Sequence, residues 1–124
     1  MPRVEHFEIP ADEPEKLRDF YEKVFRWDFK KWEDSKGKMD YWFIYTGNRE
    51  PGINGGMLRR KAPEEQVVNT IGVLDIDKYV ERIEENGGEI IEPKTAINGV
   101  GWNATFIDPQ GNKYGLIQED RDAK

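Results

Sequence analysis

The sequence has no cysteine and a single histidine, His6. The first absence removes thiol nucleophiles, disulfides and thiolate metal sites. The second prevents a two-histidine, one-carboxylate iron centre within one chain. The only serine is Ser35 and no Gly-x-Ser-x-Gly occurs. A nucleophile elbow is therefore excluded, and any Ser-His-Asp triad would have to use His6. No apolar run approaches the length of a membrane-spanning helix, and Arg3-Val4-Glu5-His6-Phe7 lacks an apolar h-region. No signal peptide is expected, and the cytoplasm is the expected compartment. Basic residues are also short: 19 Lys and Arg against 25 Asp and Glu, a net charge of −6. That balance argues against a nucleic-acid partner. Lys30-Lys31 and Arg59-Arg60-Lys61 read as solvated surface.

What is present is an aromatic-rich chain of 124 residues, a length that suggests one domain over 1–124. Four Trp, five Tyr and six Phe supply large apolar units for a core or a pocket. Val4 to Ile9 alternates as a strand does, with Phe7 and Ile9 on one face and Val4, His6 and Glu8 on the other. Asp12-Glu13-Pro14-Glu15 then reads as a helix start, with Asp12 as N-cap. Leu17, Phe20, Tyr21, Val24 and Phe25 recur at helical spacing and predict one buried stripe. Strands are expected near Trp27–Lys30, Tyr41–Thr46 and Met57–Arg59, with a polar break at Ser35-Lys36-Gly37-Lys38 and a loop from Asn48 to Gly56.

The pattern then restarts. Val68–Val73 alternates, Asp75 or Asp77 can cap a helix bearing Ile76, Val80 and Ile83, and Gly87-Gly88 ends it. Strands follow at Glu89–Glu92, Trp102–Ile107 and Lys113–Gln118. The last is fed by the Asp108-Pro109-Gln110-Gly111-Asn112 turn, and Glu119–Lys124 reads as a frayed tail. Superposing Val4–Ile9 on Val68–Val73 matches the apolar positions, so internal duplication is the economical reading. The modules fall at about residues 3–60 and 66–119.

In this order and spacing, Val4-Glu5-His6-Phe7-Glu8-Ile9, Phe20-Tyr21, Phe25-Arg26-Trp27, Gly87-Gly88 and Asp108-Pro109-Gln110-Gly111-Asn112 resemble the vicinal oxygen chelate superfamily. That superfamily is also called the glyoxalase/bleomycin-resistance/extradiol-dioxygenase superfamily. The resemblance covers Val4 to Gln118 and implies an α+β fold of two tandem βαβββ modules forming a half-open barrel, commonly as a homodimer. In catalytic members the resemblance also implies a divalent metal held by facing strands of the two modules. His6 falls at the first-strand ligand slot. The second-module slot falls at Thr70, or at Val68 with a shifted gap, and the last-strand glutamate slot falls at Gly115. None of these three is a good ligand for zinc or iron.

No cofactor is therefore predicted, although a divalent metal near His6 stays open. His6 is a candidate general base, with Glu8 two residues on along the same face as its orienting partner. Its alternative is a hydrogen-bonded, inert histidine. Trp42, Met57, Thr70 and Trp102 are candidate ligand-binding residues, each with core or strand packing as the alternative. Strand parity leaves open whether Trp42 and Ile44, or Tyr41, Phe43 and Tyr45, face the cleft.

The resulting reading is a metal-independent binder of an apolar or aromatic small molecule. The alternative is a divergent glyoxalase-like lyase or isomerase. Its metal would need His6, Glu8 and further carboxylates or Gln118, or a second chain. A non-catalytic interaction module is a third reading.

Overall fold

The computed structural model describes residues 1–33 and 40–124. The break expected at Ser35-Lys36-Gly37-Lys38 lies outside them. The elements are β1 (Arg3–Ala11), α1 (Pro14–Phe25), β2 (Asp28–Lys31), β3 (Tyr41–Tyr45), β4 (Gly55–Arg59), β5 (Val68–Gly72), α2 (Ile76–Glu85), β6 (Glu89–Ile97), β7 (Gly101–Ile107) and β8 (Lys113–Glu119). Strand, helix and three strands thus occur twice in an α+β chain. The chain divides into two compact units: His6–Val67, and Met1–Glu5 with Val68–Lys124.

In the first unit the strand order is β2-β3-β4-β1. β3 runs antiparallel to β2 and β4, whereas β1 and β4 are parallel with Phe7 opposite Gly55 and Ile9 opposite Met57. One sheet face carries the core: Ile9, Ala11, Trp42, Ile44 and Met57, with Phe7, Leu17, Tyr21, Trp27 and Phe29 packed against it. The alternation of β1 therefore does place Phe7 and Ile9 toward α1.

The helix itself departs from expectation in two ways. Phe20, Val24 and Phe25 are more than half exposed, so the seam given to the sheet is the Leu17/Tyr21 pair, one turn apart. Beyond it the rings stack on one another, Tyr21 on Trp27 at 5.0 Å and Phe25 on Trp27 at 5.5 Å. The N-cap is Glu13, without a side-chain cap bond. Asp12 instead accepts from the Arg60 guanidinium at 3.1 Å, a charge-assisted bond that competes with capping.

In the second unit the first residues of β1 lie beside β5, followed by β8, β7 and β6. β5 and β8 are parallel; β7 is antiparallel to β8 and to β6. Val73, Ile76, Ala104 and Leu116 form the core, flanked by Ile71, Val80, Ile83, Trp102 and Phe106. Of the two aspartates able to cap α2, Asp75 does so, accepting from the Lys78 N–H at 3.2 Å. Gln118 adds a second tie by accepting from the Ile76 N–H at 2.9 Å, which spends its side chain on the helix start.

Two further differences are physical. β6 continues through Pro93 to Ile97, beyond the expected Glu89–Glu92, because it is an edge strand and an edge tolerates proline. Its register shifts on both sides of Glu92. The tail after Glu119 is held in place. Ala123 is 1% exposed and its carbonyl accepts from the Gly99 N–H at 3.0 Å, while the Asp120 N–H donates to the Val100 carbonyl.

Candidate functional site

The functional candidate lies on the face of the first unit opposite α1. In a strand successive side chains alternate, so placing Phe7 and Ile9 in the core sends His6 and Glu8 the other way. The same alternation on β3 buries Trp42 and Ile44 and sends Tyr41 and Phe43 to the His6 face. Tyr41 completes a contact that spans three strands. Its hydroxyl donates to Glu8 Oε2 at 2.9 Å and lies 2.9 Å from His6 Nε2. His6 Nε2 and Glu8 Oε2 are themselves 3.5 Å apart.

β3 and β1 are not neighbours, because β4 runs between them. With neighbouring strands about 4.8 Å apart, the Tyr41 side chain must pass over β4 to reach β1. It passes over Gly56, where an added Cβ would sit 1.7 Å from the Tyr41 hydroxyl oxygen. The missing side chain at Gly56 is what permits the cluster. Trp32 and Phe43 surround the phenol, with ring centroids 6.1 Å and 5.5 Å from it and 5.6 Å from each other.

Burial raises the Tyr41 pKa far above the ordinary tyrosine range, the Glu8 charge raises it further, and donation to Glu8 does the same. A raised pKa means that the folded state holds its proton where the unfolded chain begins to lose it. The stabilising contribution is thus complete below the usual tyrosine value of about 10 and is lost as pH rises beyond it. Ultraviolet titration of the five tyrosines should show one that ionises late or only on unfolding, and Tyr41→Phe should abolish it. Five ordinary midpoints in the wild type would contradict the buried phenol.

The other expected site residues are dispersed. Trp42, 4% exposed, and Met57, fully buried, belong to the α1 core. Trp102 packs beside the α2 core. Its indole N–H donates to Asp120 at 3.0 Å and the Lys94 ammonium sits 4.6 Å from the ring centroid. Thr70 stands opposite Gly115 in the parallel β5–β8 pair, and a Cβ at Gly115 would meet the Thr70 hydroxyl at 2.9 Å. Sequence reasoning missed Tyr41 as a site residue: Gly55-Gly56, the one local trace of its crossing, reads equally well as the end of a loop.

As they stand among the described residues, these donors form no divalent-metal cluster. Among the described residues no three His, Asp or Glu side chains converge on one point. His6 Nε2 and Glu8 Oε2 are already tied through a phenol, and Thr70 beside Gly115 offers one neutral hydroxyl. A concavity of about 510 Å³ near Asp12, Arg60 and Lys61 lies apart from the cluster. Its Arg60 guanidinium is spent on Asp12 and on the Glu65 carbonyl.

The sequence profile of the Glyoxalase/Bleomycin resistance protein/Dioxygenase superfamily matches residues 3–116. The chain belongs to this superfamily. No functionally curated protein matches it by sequence. Three solved structures show the same fold at low identity. A hypothetical protein from Bacillus halodurans C-125 is 18% identical with a TM-score of 0.69, over 98% of this chain and 97% of that one. A methylmalonyl-CoA epimerase variant from Streptomyces coelicolor, in complex with 2-nitronate-propionyl-CoA, is 14% identical with a TM-score of 0.68, over 100% and 99%. A glyoxalase/bleomycin resistance protein/dioxygenase superfamily member from Vibrio splendidus 12B01 is 16% identical with a TM-score of 0.64, over 97% and 100%. Superfamily membership fixes the α+β fold of paired βαβββ modules and leaves the reaction open.

Proposed function

We propose that this superfamily member is a small-molecule-binding protein that takes an apolar or aromatic compound without a metal ion. The compound lies against Trp32, Tyr41 and Phe43, with His6 and Glu8 as polar anchors. One observation carries this reading: a hydrogen-bonded imidazole, phenol and carboxylate are set beside half-buried rings, Trp32 and Phe43. A few fixed polar groups among apolar walls are what small-ligand sites usually offer. Partners follow from the same reading: a small molecule, neither nucleic acid nor membrane, and a second copy of the chain as a cytoplasmic homodimer.

The test is a thermal-shift screen of chemically varied aromatic compounds on protein of measured native mass. A ligand at a hundred times its Kd should stabilise the fold by about 2.7 kcal/mol. The shift should fall in Phe43→Ala, and the native mass should be that of two chains. Silence across the whole set would remove the proposal.

A second reading, a divergent glyoxalase-like lyase or isomerase, draws support from the same trio, since imidazole, phenol and carboxylate are proton-transfer groups. It also draws support from an epimerase among the proteins of similar fold. The version with a divalent metal near His6 requires a stoichiometric ion in chelator-free protein that is lost on His6→Ala.

A further inference from the structure

The polarity of the cluster decides which imidazole nitrogen is left for a ligand. A carboxylate only accepts, and a tyrosine hydroxyl has one proton to give. Tyr41 gives that proton to Glu8 Oε2. The 2.9 Å contact between the Tyr41 oxygen and His6 Nε2 must then take its proton from the imidazole. Neutral His6 is held as the Nε2–H tautomer, and its lone pair is on Nδ1. Nε2, the atom engaged here, has no lone pair to lend a metal.

Nδ1 has no hydrogen-bond partner among the described residues. No fully buried side-chain nitrogen or oxygen there lacks a partner either, so Nδ1 is not sealed from solvent. The surrounding charge is simple. β1 contributes Glu8, β3 contributes the neutral Tyr41 phenol, and β4 contributes Gly56 where the phenol crosses. Among the described residues the one charge in contact with the imidazole is the Glu8 carboxylate, 3.5 Å away, which disfavours an anionic ligand.

We propose that the site selects an uncharged aromatic ligand bearing an O–H or N–H, which donates to His6 Nδ1 while the ring lies against Trp32 and Phe43. The proposal rests on the binding reading above and narrows it to a ligand class. It also assigns Tyr41 a positioning role, acting through the tautomer of His6.

Because His6 is the only histidine, ¹⁵N-histidine labelling reports both of its nitrogens without assignment. The free protein, with its imidazole neutral, should show the Nε2–H tautomer, and Tyr41→Phe should weaken that preference. The probes are 2-naphthol and its O-methyl ether, which match in ring and differ in the donor. The ether should bind about five- to tenfold more weakly, as loss of one hydrogen bond implies, and only the naphthol should shift the Nδ1 resonance. A dominant Nδ1–H tautomer, or equal affinity of the two naphthalenes, overturns the inference. Silence from both naphthalenes overturns the ligand class whatever other compounds bind. Silence from every compound overturns the binding reading itself.

Discussion

Gly56→Ala should expel the Tyr41 hydroxyl from its place between His6 and Glu8. The new methyl carbon would stand 1.7 Å from that oxygen and 2.2 Å from the ring carbon bearing it, so one of the two must move. The phenol is the end of a side chain and can swing away, at the cost of both its hydrogen bonds. The expected result is loss of the late-ionising tyrosine, loss of the fixed His6 tautomer and loss of aromatic binding, with most of the fold retained.

Gly55→Ala is the contrasting neighbour. Its methyl would lie 2.4 Å from the Phe7 carbonyl oxygen and 2.7 Å from the Phe7 ring. That oxygen is backbone in the paired strand, so relief requires β1 and β4 to separate. Overpacking of this kind costs about 1–3 kcal/mol or more, and urea denaturation should show it at Gly55 well above Gly56. Should Gly56→Ala keep the late tyrosine, the phenol does not cross β4 at that point and the site as described is wrong.

The pair also shows what the sequence could and could not convey. Alternation in Val4–Ile9 and Val68–Val73, the Asp75 cap and Gly87-Gly88 are local signals, and local physics decides them. The strands and α2 were therefore legible. Which face of β3 meets α1 was not, because Tyr41, Trp42, Phe43, Ile44 and Tyr45 are apolar or aromatic on both faces. Period-two reading needs a polar face to break the tie, and here it is absent. Gly55-Gly56 read as the end of a loop for the same reason: glycine marks both a turn and a crossing point, and only the position of the Tyr41 hydroxyl separates them. Phe20, Val24 and Phe25 continue the helical apolar period, yet only Leu17 and Tyr21 pack on the core and the other three stay more than half exposed. The tail failed differently. Asp120, Asp122 and Lys124 look like solvated charge, and what holds the segment is a buried alanine and backbone bonds to residues 99 and 100, none of which composition reveals. At the site, His6 and Glu8 were legible by parity, while Tyr41 required a contact 33 to 35 positions away in sequence.

Trp42→Ala should destabilise the protein by about 3–5 kcal/mol, the usual cost of emptying an aromatic core position. Trp42 is 4% exposed among Ile9, Ala11, Ile44 and Met57, so removal of the indole leaves a cavity whose walls belong to three strands and cannot collapse together. Against a total stability of about 5–15 kcal/mol, that loss should bring the unfolding midpoint close to working temperature. Tyr41→Phe, one residue away, should behave oppositely. The ring and its packing stay, and the groups released, His6 and Glu8, have side chains 31% and 36% exposed, so water can take over their bonds. Its cost should be about 1 kcal/mol or less, while the tautomer preference weakens and the late ionisation disappears. Adjacent residues of one strand thus divide into a stability position and a site position, and equilibrium denaturation followed by circular dichroism reads the difference. If Trp42→Ala lowered stability by less than about 1 kcal/mol and abolished aromatic binding, the indole would be a ligand wall. The face assignment of β3, and with it the placement of His6, Glu8 and Tyr41 as the binding face, would have to be reversed.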